Sequence, residues 1–288
     1  MLDAICDFTE NNDSDIREKV FSIFEFKALP ETEIDKLRYS LLCPVCRQKA
    51  YFRKASRDGK QACFGSRYHD SDCTEFNPSA RKSEEEKQIL EVEALLLEAD
   101  ALQIDFNAPI YSKKIQKIDS KLVPESAHKE PNAKKNSEGG NTQSELTVNK
   151  QGLKKLLISL LRGSSLASSD VWIYTSEKHK WRAKNLFVNV NEAVPTDNGA
   201  PRMYWGTISH ADKALLWLNP AEERSVSIPI AKYREQLLTR FDIQEPRDLE
   251  GAGFIMFAKC VQSKDKKRKF LQLWSNDAQH FYISKAQD

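Results

Sequence analysis

The chain has 288 residues, 30% of them charged and 40% hydrophobic, an ordinary globular balance with length enough for two domains. Its net charge is +2 and its pI about 8.1, so global charge does not mark it as a nucleic-acid binder, and that reading has to come from local clusters. The opening MLDAICDFTENNDSD is acidic and lacks a long apolar core, and no run reaches about 18 consecutive apolar residues, which argues against a secretory leader and a membrane span and for a cytoplasmic location.

In chain order, the stretch to about Leu42 reads as two helices. Ile16, Val20, Phe21, Ile23 and Phe24 fall close to helical spacing over Asp15 to Phe26. Pro30-Glu31-Thr32-Glu33 then opens a second helix, since proline fits a first turn and acids suit the positive end of a helix dipole. Ile34, Leu37 and Leu41 form its expected buried stripe, with Tyr39 off that face.

Residues 43–78 hold four of the six cysteines: Cys43, Cys46, Cys63 and Cys73. A disulfide framework would be spread more widely, and clustered thiols in a reducing compartment point to metal. A Cys-x2-Cys turn presents two thiolates on one side, and Pro44 stiffens it. Cys63, His69 and Cys73 are three candidates for the two remaining places. His69 and Cys73 are four apart and can share a side, so the favoured set is Cys43, Cys46, His69 and Cys73, with Cys63 as the alternative fourth ligand. Four protein ligands leave no open position for water, which makes the expected zinc structural.

The segments LLCPVCRQKAYFRKASRDGK, CFGSRYHDSDC and KSEEEKQIL together resemble the zinc ribbon of the CoiA-like competence protein family, a bacterial family, over about 50 residues. On that pattern Cys43, Cys46, His69 and Cys73 match the ligands and Phe64 the aromatic. The interval from Phe64 to His69 is longer than the family's, and the Asp…Glu-x-Lys pattern of a linked nuclease does not follow the ribbon. The resemblance implies a DNA-related context without a nuclease.

The ribbon is also basic. Arg47, Lys49, Arg53, Lys54, Arg57, Lys60 and Arg67 stand against one acid, Asp58, with Tyr51, Phe52 and Phe64 interleaved and Tyr68 following. Cations on such a hairpin can lie along phosphates and an exposed aromatic can stack on a base; the other reading is a solvated hairpin whose aromatics pack on the metal core.

A long helix is expected from about Ser79, carrying Ile89, Leu90, Val92, Leu95, Leu96 and Leu97. From Tyr111 to Lys150 the chain turns to Lys, Ser, Asn and Gly with few large apolar residues, the composition of a disordered linker. A short helix, GLKKLLISLLRG, follows. Then VWIYT, NLFVNV, RMYWGTIS, ALLWLN, SVSIPI, GFIMFAKCV, KFLQLWS and HFYIS read as strands, with one helix, KYREQLLTRF, between the fifth and sixth. The chain is thus expected to be α+β. A helical domain with a zinc ribbon spans 1–110, the linker 111–150, and a mostly antiparallel β domain 151–288, whose strand order suits an OB-like barrel.

All five tryptophans lie in the β-rich half, where aromatic platforms would suit single-stranded nucleic acid. A second basic run, with Lys266, Lys267 and Arg268 at its centre, is expected to tip a hairpin and offer phosphate contacts. No Gly-rich phosphate loop or nucleophile elbow is present, and His210 with Asp212, the nearest thing to a dyad in the β domain, reads as a turn. The sequence therefore predicts a zinc-containing nucleic-acid-binding accessory protein without catalysis of its own, DNA favoured, with a protein partner plausible and no membrane. The alternatives are an adaptor that binds only proteins, and a divergent nuclease using Glu91 or Glu93.

Overall fold

A computed structural model describes residues 1–8, 18–55, 62–99, 101–109, 149–275 and 277–285. The expected linker at 111–150 lies outside these residues, apart from its last two.

The N-terminal part is not the helical domain that apolar spacing suggests. β1 (Asp3–Asp7) pairs antiparallel with β2 (Glu18–Ser22) on one side and with β3 (Leu41–Leu42) on the other. The run expected as one helix over 15–26 is divided at Ser22. Up to that point it is a strand in register with β1, with Phe21 buried and Val20 exposed. Ser22 then starts α1 (Ile23–Lys27): its hydroxyl accepts the Glu25 N–H, and the Glu25 carboxylate accepts the Ser22 N–H. This reciprocal cap satisfies two otherwise orphaned donors and fixes where helix begins. α2 (Glu31–Leu37) follows Pro30 as expected and buries Ile34, but Leu41 leaves the helical stripe and is buried on β3.

β4 (Tyr51–Arg53) and β5 (Cys63–Gly65) form a short hairpin in which Phe52 faces Phe64. Both rings pack on Phe26, with centroids 5.0 and 5.3 Å away. Each such burial contributes about 2–3 kcal/mol, so the two strands are anchored through their aromatic side while Arg53 and Lys54 stay exposed.

α3 (Ala80–Glu98) starts at Ser79, whose hydroxyl accepts the Lys82 N–H. It serves two cores: Ile89 belongs to the N-terminal one and Val92 to the larger one that follows. It also carries Glu93, only 2% exposed, which accepts from Lys27 Nζ at 2.8 Å and from the Ser165 N–H at 2.6 Å.

β6 (Ala101–Asp105) is the second strand of a four-stranded sheet ordered β7-β6-β8-β9, with β7 (Asn149–Gly152), β8 (Trp172–Tyr174) and β9 (Lys180–Arg182). It runs parallel to β7 and β8, and β9 returns antiparallel. α4 (Leu153–Leu161) follows β7. Leu102, Ile104 and Ile173 are buried in one core with Leu156, Leu157 and Leu160 of α4. This sheet joins residues on both sides of the 111–150 segment, so the division between 1–110 and 151–288 cuts through it.

α5 (Ala183–Leu186) leads into β10 (Phe187–Asn189), which lies parallel to β11 (Arg202–Ala211). The remaining strands are β12 (Trp217–Pro220), β13 (Val226–Pro229), β14 (Gly253–Gln262), β15 (Lys269–Leu273) and β16 (Phe281–Ser284), with α6 (Arg234–Phe241) between β13 and β14. The pairing of β11 with β14 closes the five strands β11-β12-β13-β15-β14 into a ring. β13 and β15 are parallel and the other pairs in the ring antiparallel. A register shift between Ile208 and His210 lets the ten-residue β11 pair with β14 along its first part and with β12 along its last. Closure leaves these strands without free edges.

Candidate metal centre and basic surfaces

The knuckle after β3 and the turn after β5 bring Cys43, Cys46, His69 and Cys73 together, with one ligand atom of each within 4.8 Å of the others. The Cys43 and Cys73 Sγ atoms are 3.8 Å apart, and His69 Nδ1 is 3.4 Å from both Cys46 Sγ and Cys73 Sγ. With metal–sulfur bonds of about 2.3 Å and metal–nitrogen bonds of about 2.0–2.1 Å, a tetrahedron has sulfur–sulfur edges of about 3.8 Å and sulfur–nitrogen edges of about 3.5 Å. These three distances match edges of such a tetrahedron, so the three sulfurs and one nitrogen could hold a metal ion, and no disulfide joins the cysteines.

The local backbone makes that geometry. Cys43 N–H donates to the Gln48 carbonyl and Arg47 N–H to the Cys43 carbonyl, closing the knuckle. Arg47 completes it in the left-handed region, at φ 57°. Burial pushes the Cys43 thiol up to about 11. For Cys46, desolvation acts in the same direction but is outweighed by backbone N–H groups of Asp70 and Gln48 and by His69, which bring the thiol down to about 6. A metal would be held as thiolates by the three cysteines and through Nδ1 by His69.

Cys63 is not in this group. It stands half-buried on β5, opposite Arg53. Cys6 and Cys260 are buried thiols that burial pushes up to about 11, the condition of an inert core cysteine.

The cations expected between Arg47 and Arg67 are only partly free. Arg47 is ion-paired with Glu18, and Lys54 with Glu31. Lys49, Arg53 and Arg67 are exposed, and Arg57 and Lys60 lie outside the described residues. Of the ribbon aromatics, Phe52 and Phe64 are core while Tyr51 and Tyr68 are exposed.

The second basic run does tip a hairpin, between β14 and β15. Ser263 and Asp265 hold the loop: the Lys267 N–H donates to Asp265 and the Arg268 N–H to the Ser263 hydroxyl. Lys264, Lys266, Lys267 and Arg268 are all exposed. Beside the loop, a depression of about 350 Å³ is lined by Asp212, Trp217, Asn219, Ser227, Arg268 and Phe270. Trp217 is 40% exposed and its ring lies 5.7 Å from that of Phe270. The signal for this site was the tryptophan at the head of a strand; Ser227 and Phe270 come from β13 and β15, and the pairing of β13 with both β12 and β15 assembles them.

The acid–histidine pair is a turn. Asp212 accepts the N–H groups of Ala214, Leu216 and Trp217, while His210 Nε2 faces the Asn219 amide. Glu91 is paired with Lys155 and Glu93 with Lys27, so both acids of the nuclease alternative are occupied by lysines.

Compared with protein-family models, with curated proteins and with solved structures, the chain matches none. Among the described residues no helix is long and apolar enough to cross a membrane.

Proposed function

We propose that this chain is a nucleic-acid-binding accessory protein without its own catalysis, DNA favoured, in which an OB-like barrel supplies the binding face and a structural zinc fixes the N-terminal ribbon. The observation that carries the reading is the depression on the barrel: an exposed Trp217 seated on Phe270, with Arg268 at its rim and three further cations on the adjoining loop. A base stacks on an aromatic plane whatever its identity, and cations beside the plane meet the phosphates. The ring order β11-β12-β13-β15-β14, with α6 between β13 and β14, supports the OB-like assignment, and the depression lies beside the β11–β12 and β14–β15 loops, where barrels of that kind hold oligonucleotides. Zinc is supported by the donor chemistry, three cysteine sulfurs and one histidine nitrogen brought within 4.8 Å of one another. Glu91 and Glu93, the acids of the nuclease alternative, are ion-paired with Lys155 and Lys27.

The test is fluorescence anisotropy of the protein with labelled single- and double-stranded DNA and RNA across a salt series. Binding to single strands is expected to weaken steeply with salt. Trp217→Ala should weaken it about tenfold at every salt concentration, within the ~1–3 kcal/mol of one base–aromatic stack. No binding at low salt by a protein holding one zinc per chain would reject the reading and turn the search to protein partners.

A further inference from the structure

The four-stranded sheet has one face in the core and one face outward. Leu102, Ile104 and Ile173 take the inner face, and Trp181 packs against the same core from β9. Strand alternation then assigns Trp172 and Tyr174 of β8, Lys180 and Arg182 of β9, and Gln103 of β6 to the outer face. Register agrees: Trp172 lies opposite Arg182, Tyr174 opposite Lys180, and Gln103 pairs with both Tyr174 and Lys150.

This outer face is basic and aromatic. The Arg182 guanidinium lies 3.9 Å from the Trp172 ring centroid and Lys180 Nζ 4.6 Å from it. Two like charges are thus held over one indole, which stabilises each of them but leaves their repulsion in place. The ion pairs nearby run elsewhere, from Lys184 to Asp170 and from Lys155 to Glu91. Among the described residues no carboxylate lies within ion-pair distance of Lys150, Lys180 or Arg182. Asp105, the acid of this face, stands at the far end of β6 and accepts the Asn107 N–H. One Arg182 N–H donates to the Asp170 carbonyl, which fixes the guanidinium plane and leaves its other edges for a ligand.

We infer that the outward face of this sheet is a second binding site for single-stranded nucleic acid, in which Tyr174 supports a base while Lys150, Lys180 and the Arg182 guanidinium, braced on Trp172, meet phosphates. The chemistry selects this occupant: the half-exposed Tyr174 ring and cations that have no carboxylate partner among the described residues share one outward face, and an unpaired strand offers bases and phosphates side by side. A duplex keeps its bases stacked inside and would use the cations alone. From β7 to β9 the face is three strand spacings wide, about 14 Å, room for more than one phosphate. The inference rests on the nucleic-acid reading above and adds a site distinct from the barrel depression.

The experiment separates the two sites by their salt dependence. For single strands, log K falls against log salt with a slope of about −0.7 per phosphate contact. Lys180→Ala/Arg182→Ala in the full chain should make the slope shallower by about 1.4 (two contacts at about 0.7 each). Trp217→Ala should weaken binding with its slope unchanged. A double variant with the wild-type slope, beside a Trp217 variant that does weaken binding, overturns the sheet site and leaves the barrel reading standing. No binding by the wild-type chain overturns both. Photocrosslinking of the unmutated protein to a bromouracil-substituted single strand supplies a readout that needs no variant: adducts are expected in the peptide bearing Trp172 and Tyr174, and adducts confined to the barrel would overturn the proposal.

Discussion

At the scale of single residues, the choice between Cys63 and His69 turns on strand direction. Cys63 is on β5, in register with Arg53, whereas His69 follows a turn that carries it back beside Cys46 and Cys73. Sequence spacing allows both, because what separates them is where the hairpin ends. The expected outcome is one zinc per chain by mass spectrometry, retained in Cys63→Ser and lost in Cys43→Ser or His69→Ala. Removing zinc with a chelator should lower the melting temperature of the wild type, because metal held by the folded site and not by the unfolded chain stabilises folding. Zinc retained by Cys43→Ser and lost from Cys63→Ser would reverse the assignment. Glu93 gives a second residue-scale prediction. Sequence alone presents it as part of an acidic helix, with the alternative of a nuclease acid, yet it is nearly inaccessible and joins α1 through Lys27 to the segment that opens at Ser165. Glu93→Ala leaves a lysine and two donors without their acceptor and should cost about 3 kcal/mol. Glu93→Gln keeps an acceptor for Ser165 and should cost less than half of that by chemical denaturation. Equal losses would mean that charge contributes nothing there.

At the scale of elements, the C-terminal strands were legible and the N-terminal ones were not. Residues such as Val, Ile, Phe and Trp bounded by Gly, Pro and Asn mark β11 to β15 closely, since each of those runs is set off from its neighbours by turn residues. β1 and β2 are five residues each, and β2 runs straight into α1, so one apolar run contains two periodicities. The signal that divides it is the Ser22–Glu25 capping box. The junction of the sheet with the barrel could not be read at all. Phe106, just after β6, packs on His280, just before β16, with centroids 4.4 Å apart, and Ser275 Oγ lies 2.8 Å from His280 Nδ1. Burial lowers the His280 pKa, with Asp277 opposing, so the folded chain takes up this proton less readily than the unfolded chain, which does so near 6.5. The unfolded state then binds more protons below 6.5, and stability should decline as pH falls from 6.5 toward the folded pKa. Melting temperatures between about pH 7 and 5 should fall less steeply for His280→Gln than for the wild type, with the metal centre common to both. Parallel curves would show that this ring does not couple the junction to pH.

At the scale of the whole molecule, composition located a change of character after Tyr111 but not the edge of a packing unit. Composition is a local property, and a parallel strand pair across a long connection is not. β6 lies between β7 and β8, so the residues before the Lys- and Ser-rich segment contribute an inner strand to a sheet whose other strands come after it. Val92, Leu102 and Ile104 are each at most 5% exposed, within one core that extends to Phe281 and Ile283. Three large apolar side chains of this kind contribute roughly 5–9 kcal/mol of burial, an amount comparable with the net stability of a typical domain. The covalent link through 110–148 is then not what holds the two halves together. A protease site inserted in that segment and cut after folding should leave two pieces that elute as one species on gel filtration and melt in one transition, at a temperature that now depends on concentration. Separation of the pieces at micromolar concentration, each with its own transition, would mean that β6 does not pair with β7 and β8, and it would remove the sheet on which the second nucleic-acid surface stands.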